Sequence, residues 1–263
     1  MLFSWLKRRR RRSILAEPFP EAWESALHEE VGHYRVLSDA ERKKLRNIVQ
    51  IMLAEKEWEG CRGLELTDAM RVTIAALAGI LILGLDEFYF DNVVTILLYP
   101  NEFVVKAERA LAGGATMQEE SDRLGEAHYR GPVILSWAEI RANALEPGYG
   151  QNLAFHEFAH QLDMLNGAFD GTPNLPSDDL AKRWAKIMDA EYRRLQRAEQ
   201  KGRETLLDPY GAENPAEFFA VTTECFFDAP QAMRSEYPSL YELFRDYYRQ
   251  DPAAWPPFDQ TPG

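Results

Sequence analysis

Phe155-His-Glu-Phe-Ala-His-Gln-Leu-Asp-Met-Leu-Asn-Gly167 carries two histidines four residues apart in an apolar helical pattern that ends on Asn-Gly, a pair suited to a helix C-terminus. On a helix, positions four apart are separated by about 40° around the axis and about 6 Å along it, so His156 and His160 project from one face. Two neutral imidazoles there can share one zinc ion. Glu157, one residue on, sits beside the metal without having to ligate it, where it can take a proton from a water at that metal. This is the His-Glu-x-x-His arrangement of metal-dependent peptide hydrolysis. Phe155, Phe158 and Ala159 place the pair on an otherwise buried helix, where imidazoles without partners are costly. Two hydrogen-bonded core histidines are the alternative.

A catalytic zinc site of this kind takes a third protein ligand and leaves a fourth position for water. The other histidines, His28, His33 and His128, form no helical metal-binding pair. Downstream, Tyr210-Gly-Ala-Glu-Asn-Pro-Ala-Glu-Phe-Phe-Ala220 places Glu213 and Glu217 just before or inside a helix opened by Asn214-Pro215. Glu217 is the better candidate ligand, because it lies among Phe218, Phe219 and Val221, where an unpaired carboxylate is penalised. Its position three after Asn214 also fits a capping box, so ligand and cap stand as alternatives. Asp163, three beyond His160, lies on the histidine side of the helix. There it can accept the second imidazole N–H of His160, order the adjacent loop, or stand as an ordinary solvated aspartate.

With 263 residues, 46% of them apolar and 12% aromatic, the chain has ample material for a packed core. A formal net charge of −12 argues against general nucleic-acid binding, which needs a basic face. The local exception is Lys7-Arg-Arg-Arg-Arg-Arg12, directly after the apolar stretch Met1-Leu-Phe-Ser-Trp-Leu6. A secretory signal has its charges before a longer apolar region, so no export is expected. Residues 1–15 read as a loose, solvated basic tail, with weak contact to anionic lipid or nucleic acid as the functional alternative. The run Thr73 to Leu85 has 13 residues, short of the ~20 that span a bilayer, and reads as a buried helix. Cys61 and Cys225 have no metal-ligand spacing, which leaves them as small buried apolar residues and fits a reducing cytoplasm.

The pattern predicts a mainly helical α+β, zincin-like domain over residues 16–252, with a small sheet beside the His-Glu helix and a loosely ordered Pro-rich end over 253–263. Helices are predicted from Ser38 to about Leu53, Thr67 to about Leu83, Leu180 to Gln200, Asn214 onward and Leu240 to Arg249. Val93 to Tyr99 and Pro132 to Trp137 favour strands by their β-branched and aromatic content. Gly113 to Asp122 reads as a surface loop.

The segments Phe155 to Gly167 and Asp208-Pro-Tyr-Gly-Ala-Glu-Asn-Pro-Ala-Glu-Phe-Phe-Ala-Val221 resemble the Mlc titration factor A family of zinc peptidases. The likeness extends through Val94-Thr-Ile-Leu-Leu-Tyr-Pro-Asn-Glu-Phe-Val104, Gly131-Pro-Val-Ile-Leu-Ser-Trp137 and Tyr237-Pro-Ser-Leu240, and so from about residue 40 to 252. The two metal segments are also similar to the catalytic domain of anthrax lethal factor. The resemblance implies a gluzincin-type site with one zinc held by His156, His160 and Glu217. It also implies Glu157 as base and Tyr210 as the donor that stabilises the transition-state oxyanion. It further implies a cytoplasmic protein with aminopeptidase-type activity on peptide or protein substrates, and a transcriptional repressor of the Mlc type as partner, which connects it to sugar phosphotransferase uptake. By analogy with zinc peptidases of this build, an extended substrate pairs with the strand Val133 to Trp137. A regulatory binding protein that sequesters a repressor is the reading from another class. Some members carry a further histidine near the metal, whereas Gly114 to Gly125 has none here and Met117 or a neighbour takes its place.

Overall fold

The computed structural model describes residues 2–85, 88–101 and 131–258. Four helices come first: α1 (Leu2–Ala16), α2 (Glu21–Glu30), α3 (Gly32–Val36) and α4 (Asp39–Glu55). Then follow β1 (Glu57–Gly60), α5 (Asp68–Leu81), β2 (Thr95–Tyr99), β3 (Val133–Ser136), α6 (Trp137–Leu145) and α7 (Leu153–Asp163). The last part is helical again, with α8 (Asp178–Glu199), α9 (Pro215–Asp228), α10 (Pro230–Glu236) and α11 (Pro238–Tyr248). This is the mainly helical α+β architecture the sequence implies. No described helix is long and apolar enough to cross a membrane.

Local signals account for the long helices. Ser38 and Glu41 close a reciprocal capping box at the start of α4, with the Ser38 N–H donating to Glu41 Oε2 at 2.8 Å. Thr67 caps α5, and every α5 residue from Val72 to Leu81 is buried, as its unbroken apolar run requires. The three strands form one parallel sheet in the order β1-β2-β3, with Trp58 opposite Ile96 and Ile96 opposite Val133. Parallel pairing needs a crossover, and α5 supplies the one between β1 and β2.

Helix α7 lies at the centre, packed against β3, α5 and α9. Its core face presents Phe155 and Phe158, whose rings sit 5.4 Å from Phe227 and 4.8 Å from Phe90. With those side chains anchored, the histidines on the other side of the helix are fixed as well. Beside β2, β3 ends the sheet among the described residues.

Four features differ from the sequence expectation. Where residues 1–15 are expected as a loose tail, the chain forms α1 (Leu2–Ala16), which lies on α4. The reason is long-range neutralisation. Arg11 is buried, donates to Glu55 at 2.7 Å and also pairs with Asp91, while Gln50 Nε2–H donates to the carbonyls of Ile14 and Glu17. Second, β1 was not apparent, because Glu57-Trp-Glu-Gly60 is short, acidic and only alternately half-buried. Third, α6 starts at Trp137 directly after β3, where the apolar run reads on as strand. Fourth, the Pro-rich end begins with a 3-10 turn, Pro252–Ala254, and brings the Trp255 and Phe258 rings to 6.5 and 4.9 Å from that of buried His33. The expected loop Gly113 to Asp122, together with Met117 and His128, lies outside the described residues.

Candidate metal centre

Asn152 opens α7 by accepting the Phe155 N–H at 3.2 Å, and the first turns then carry His156 and His160 to one side. Their Nε2 atoms lie 3.1 Å apart. Helix α9 crosses beside them and brings in Glu217, whose Oε2 is 2.9 Å from His156 Nε2 and 3.4 Å from His160 Nε2. Asn214 does cap α9, accepting the Glu217 N–H at 3.0 Å. The reciprocal half of a capping box is absent there, unlike at Ser38, because the Glu217 carboxylate is turned toward the histidines. Among the described residues, His156, His160 and Glu217 are the group of three side chains whose ligand atoms converge.

The donor set fits a metal ion. His156 Nδ1 is 2.7 Å from Glu224 Oε1, a carboxylate that assigns the ring proton to Nδ1 and leaves the Nε2 lone pair facing inward. Glu217 Oε2 is buried and accepts no hydrogen bond among the described residues. Lone pairs held this close repel one another unless a positive charge sits among them. The three separations are close to the edges of about 3.3–3.4 Å expected for a tetrahedron with bonds of about 2.0–2.1 Å.

The electrostatics point the same way. Burial disfavours a charged His156, yet contact first with Glu217 and then with Glu224 pushes its pKa well above the ordinary value. Burial likewise opposes ionisation of Glu217, but His156 and His160 hold its carboxyl well below the usual range. Burial raises the Glu224 carboxyl, against the pull of His156 and of the Asn152 N–H at 2.5 Å. The cluster therefore holds positive charge strongly, and protons compete with a metal for it.

Asp163 orders the adjacent loop. Its Oδ2 accepts the Gly171 N–H at 2.8 Å, while burial raises the carboxyl pKa to about 7. It is not the partner of His160, whose buried Nδ1 has no hydrogen-bond partner among the described residues. Gly171 has φ +76°, and a Cβ there would stand 2.2 Å from the Pro215 carbonyl oxygen, so the loop can press against the start of α9 only with glycine. The Trp184 indole N–H donates to the Gly171 carbonyl at 3.0 Å. Held in this way, the loop sets Phe169 against His160, with ring centroids 5.0 Å apart.

Glu157 is half-buried on α7, and its charge contributes to raising His156. Tyr210 stands in the 3-10 turn Pro209–Ala212, fixed by donation of its N–H to Asp208 Oδ1 at 2.8 Å. Its side chain is 51% exposed, with the ring centroid 6.0 Å from that of His156. Of the sequence candidates, His156, His160 and Glu217 converge, the Tyr210 ring lies beside His156, and Glu157 follows His156 on α7. Glu224 is the residue that sequence reasoning missed. Its signal was available: a second carboxylate seven residues after Glu217 shares the same face of an otherwise apolar helix.

The chain is similar to known proteins over most of its length. The family model for glucose-regulated metallopeptidase M90 matches residues 5–249. A Synechocystis protein described only as uncharacterized is 38% identical over 244 residues, covering 92% of this chain and 89% of its own. Mlc titration factor A of Pectobacterium atrosepticum is 33% identical over 237 residues, covering 89% and 88% of the two chains. The protein of the same name from Yersinia pestis is 32% identical over 235 residues, covering 88% and 85%. A candidate metal site on the His-Glu helix stands beside a family match over nearly the whole length, and that match shows that the chain belongs to the glucose-regulated metallopeptidase family M90.

Proposed function

We propose that this protein is a zinc-dependent peptidase in which His156, His160 and Glu217 hold one zinc ion, Glu157 is the general base and Tyr210 is the oxyanion donor. The observation that carries the reading is the convergence of two imidazole nitrogens and one carboxylate oxygen within 3.4 Å. Nitrogen and oxygen donors in this ratio suit zinc. When bound, zinc would supply Lewis acidity toward the scissile carbonyl and toward a water molecule.

The remaining work falls to the chain's own groups. Glu157 removes a proton from the attacking water and later delivers it to the leaving amine. The Tyr210 hydroxyl, on the exposed rim of the site, donates to the oxygen that becomes negative during attack. Glu224 keeps His156 in one tautomer and one orientation. β3 ends the sheet among the described residues and packs on α7, so an extended peptide paired along it would run beside the histidines. Aminopeptidase-type cleavage in the cytoplasm is the finer form of this reading.

The name of the Pectobacterium and Yersinia relatives favours a second role, binding of a repressor of the Mlc type, with peptidase activity secondary. Two measurements on the purified protein separate the readings. Metal analysis with a peptide-library cleavage profile should give zinc and a defined set of cleaved bonds. Titration of a purified Mlc-type repressor with the wild type and with Glu157→Gln tests the second. Repressor binding by both proteins without cleavage of any peptide would discard the peptidase reading.

A further inference from the structure

The arginine run takes no part in the metal centre, yet the fold gives it a definite orientation. Lys7, Arg11, Ile14 and Leu15 form the inward side of α1, at the i, i+4, i+7, i+8 spacing of one helix face. Lys7 pairs with Asp91 at 2.8 Å, and the Arg11 guanidinium, besides its carboxylate partners, lies 4.3 Å over the Tyr89 ring. Those contacts fix the helix to the body. Arg8, Arg9 and Arg12 are turned outward and exposed, as is Arg10, which reaches the Ala54 carbonyl at 3.3 Å. Trp5 and Leu6 lie one turn earlier on the same helix, 51% and 49% exposed.

The combination is unusual for this molecule. Among the residues whose side chains are described, residues 2–4 aside, five large apolar side chains are exposed, and two of them are neighbours at this end of α1. One more, Tyr210, lies beside His156. The cationic cluster stands on a chain whose net charge is −12. Exposed tryptophan and leucine gain free energy by entering the headgroup and upper acyl region of a bilayer, and adjacent arginines gain by meeting lipid phosphates. Arg9 already lies 5.6 Å over the Trp5 ring, a pairing that lets an aromatic ring and a cation occupy the same interfacial depth.

We propose that α1 is an interfacial membrane anchor, which docks this protein on anionic lipid surfaces through Trp5, Leu6 and the outward arginines. Nucleic acid fits less well. It would meet the arginines but leave the apolar tip, Trp5 and Leu6, in water, whereas a bilayer takes up both halves of the helix at once.

The test is co-sedimentation of the full-length protein with vesicles of phosphatidylcholine alone or with about 30% phosphatidylglycerol, at physiological salt and at about 0.5 M sodium chloride. Binding to the anionic vesicles should exceed binding to the neutral ones by about tenfold or more, and high salt should release most of it. Arg8→Gln combined with Arg9→Gln and Arg12→Gln, all at exposed positions, should abolish the binding, and Trp5→Ser should weaken it several-fold. Metal content and circular dichroism should be unchanged in both variants, since neither touches Lys7 or Arg11. Equal binding to both vesicles, no binding to either, or retention by the arginine variant overturns the proposal. Tighter binding of the same arginines to duplex or single-stranded DNA than to the anionic vesicles overturns it as well.

Discussion

Glu224 holds His156 from behind: its Oε1 is 2.7 Å from Nδ1, while its Oε2 accepts the Asn152 N–H at 2.5 Å, so one carboxylate joins α9 to both the cap and the first histidine of α7. Replacement by glutamine keeps the size and one acceptor but turns an amide N–H₂ toward a second donor. Glu224→Gln should therefore weaken metal binding by about 10–100-fold, with the fold intact. Competition against a chelator of known affinity measures this; an unchanged affinity would reduce Glu224 to a packing residue.

Tyr210 is placed differently, on the exposed rim with its ring 6.0 Å from that of His156. A donor there acts chiefly in the transition state. Tyr210→Phe keeps the ring and its packing, so kcat on a cleaved peptide should fall by about 10²–10³, with KM and metal content nearly constant. A kcat within about threefold of wild type would return the residue to a structural role.

How much of this could be read beforehand depended on the range of the interaction. The grouping of His156 and His160 was legible because helical geometry alone puts them on one face, while Glu217 stood out as a carboxylate in an apolar helix and through the family resemblance, with a helix cap as the alternative. The caps at Ser38, Thr67 and Asn214 were legible for the same local reason. α1 was not, because a block of like charges normally stays solvated. What orders it here are Glu55 and Asp91, 44 and 80 residues from Arg11. The spacing from Glu217 put Glu224 on the same helix face, but that it meets His156 Nδ1 follows only from the packing of α9 on α7, and β1 exists only because β2 pairs with it.

Lys56 offers a test of the packing away from the metal. Its Nζ donates to the carbonyls of Phe90 and Val93 at 2.7 and 3.0 Å, and burial lowers its pKa to about 8 from 10.5. Below about pH 8 the ammonium is charged in both states, and its desolvation opposes folding in full. As pH rises from about 8 to 10.5, the folded protein releases this proton before the unfolded chain does, so the penalty is relieved. Urea unfolding of wild type and Lys56→Met should show the difference moving toward the wild type by about 2 kcal/mol between roughly pH 7.5 and 9.5. A constant difference would contradict the buried, depressed lysine.

The central claim is that Glu217 holds the metal while Glu157 does the chemistry, and zinc content measured together with peptide turnover tests it most directly. Wild type should carry about one zinc per chain and cleave peptide. Glu157→Gln should keep the zinc and lose hydrolysis. Glu217→Ala should lose the zinc, whereas loss of a mere helix cap would cost about 0.5–2 kcal/mol of stability and leave metal content intact. Wild-type zinc in Glu217→Ala, or wild-type turnover in Glu157→Gln, would contradict the assignment.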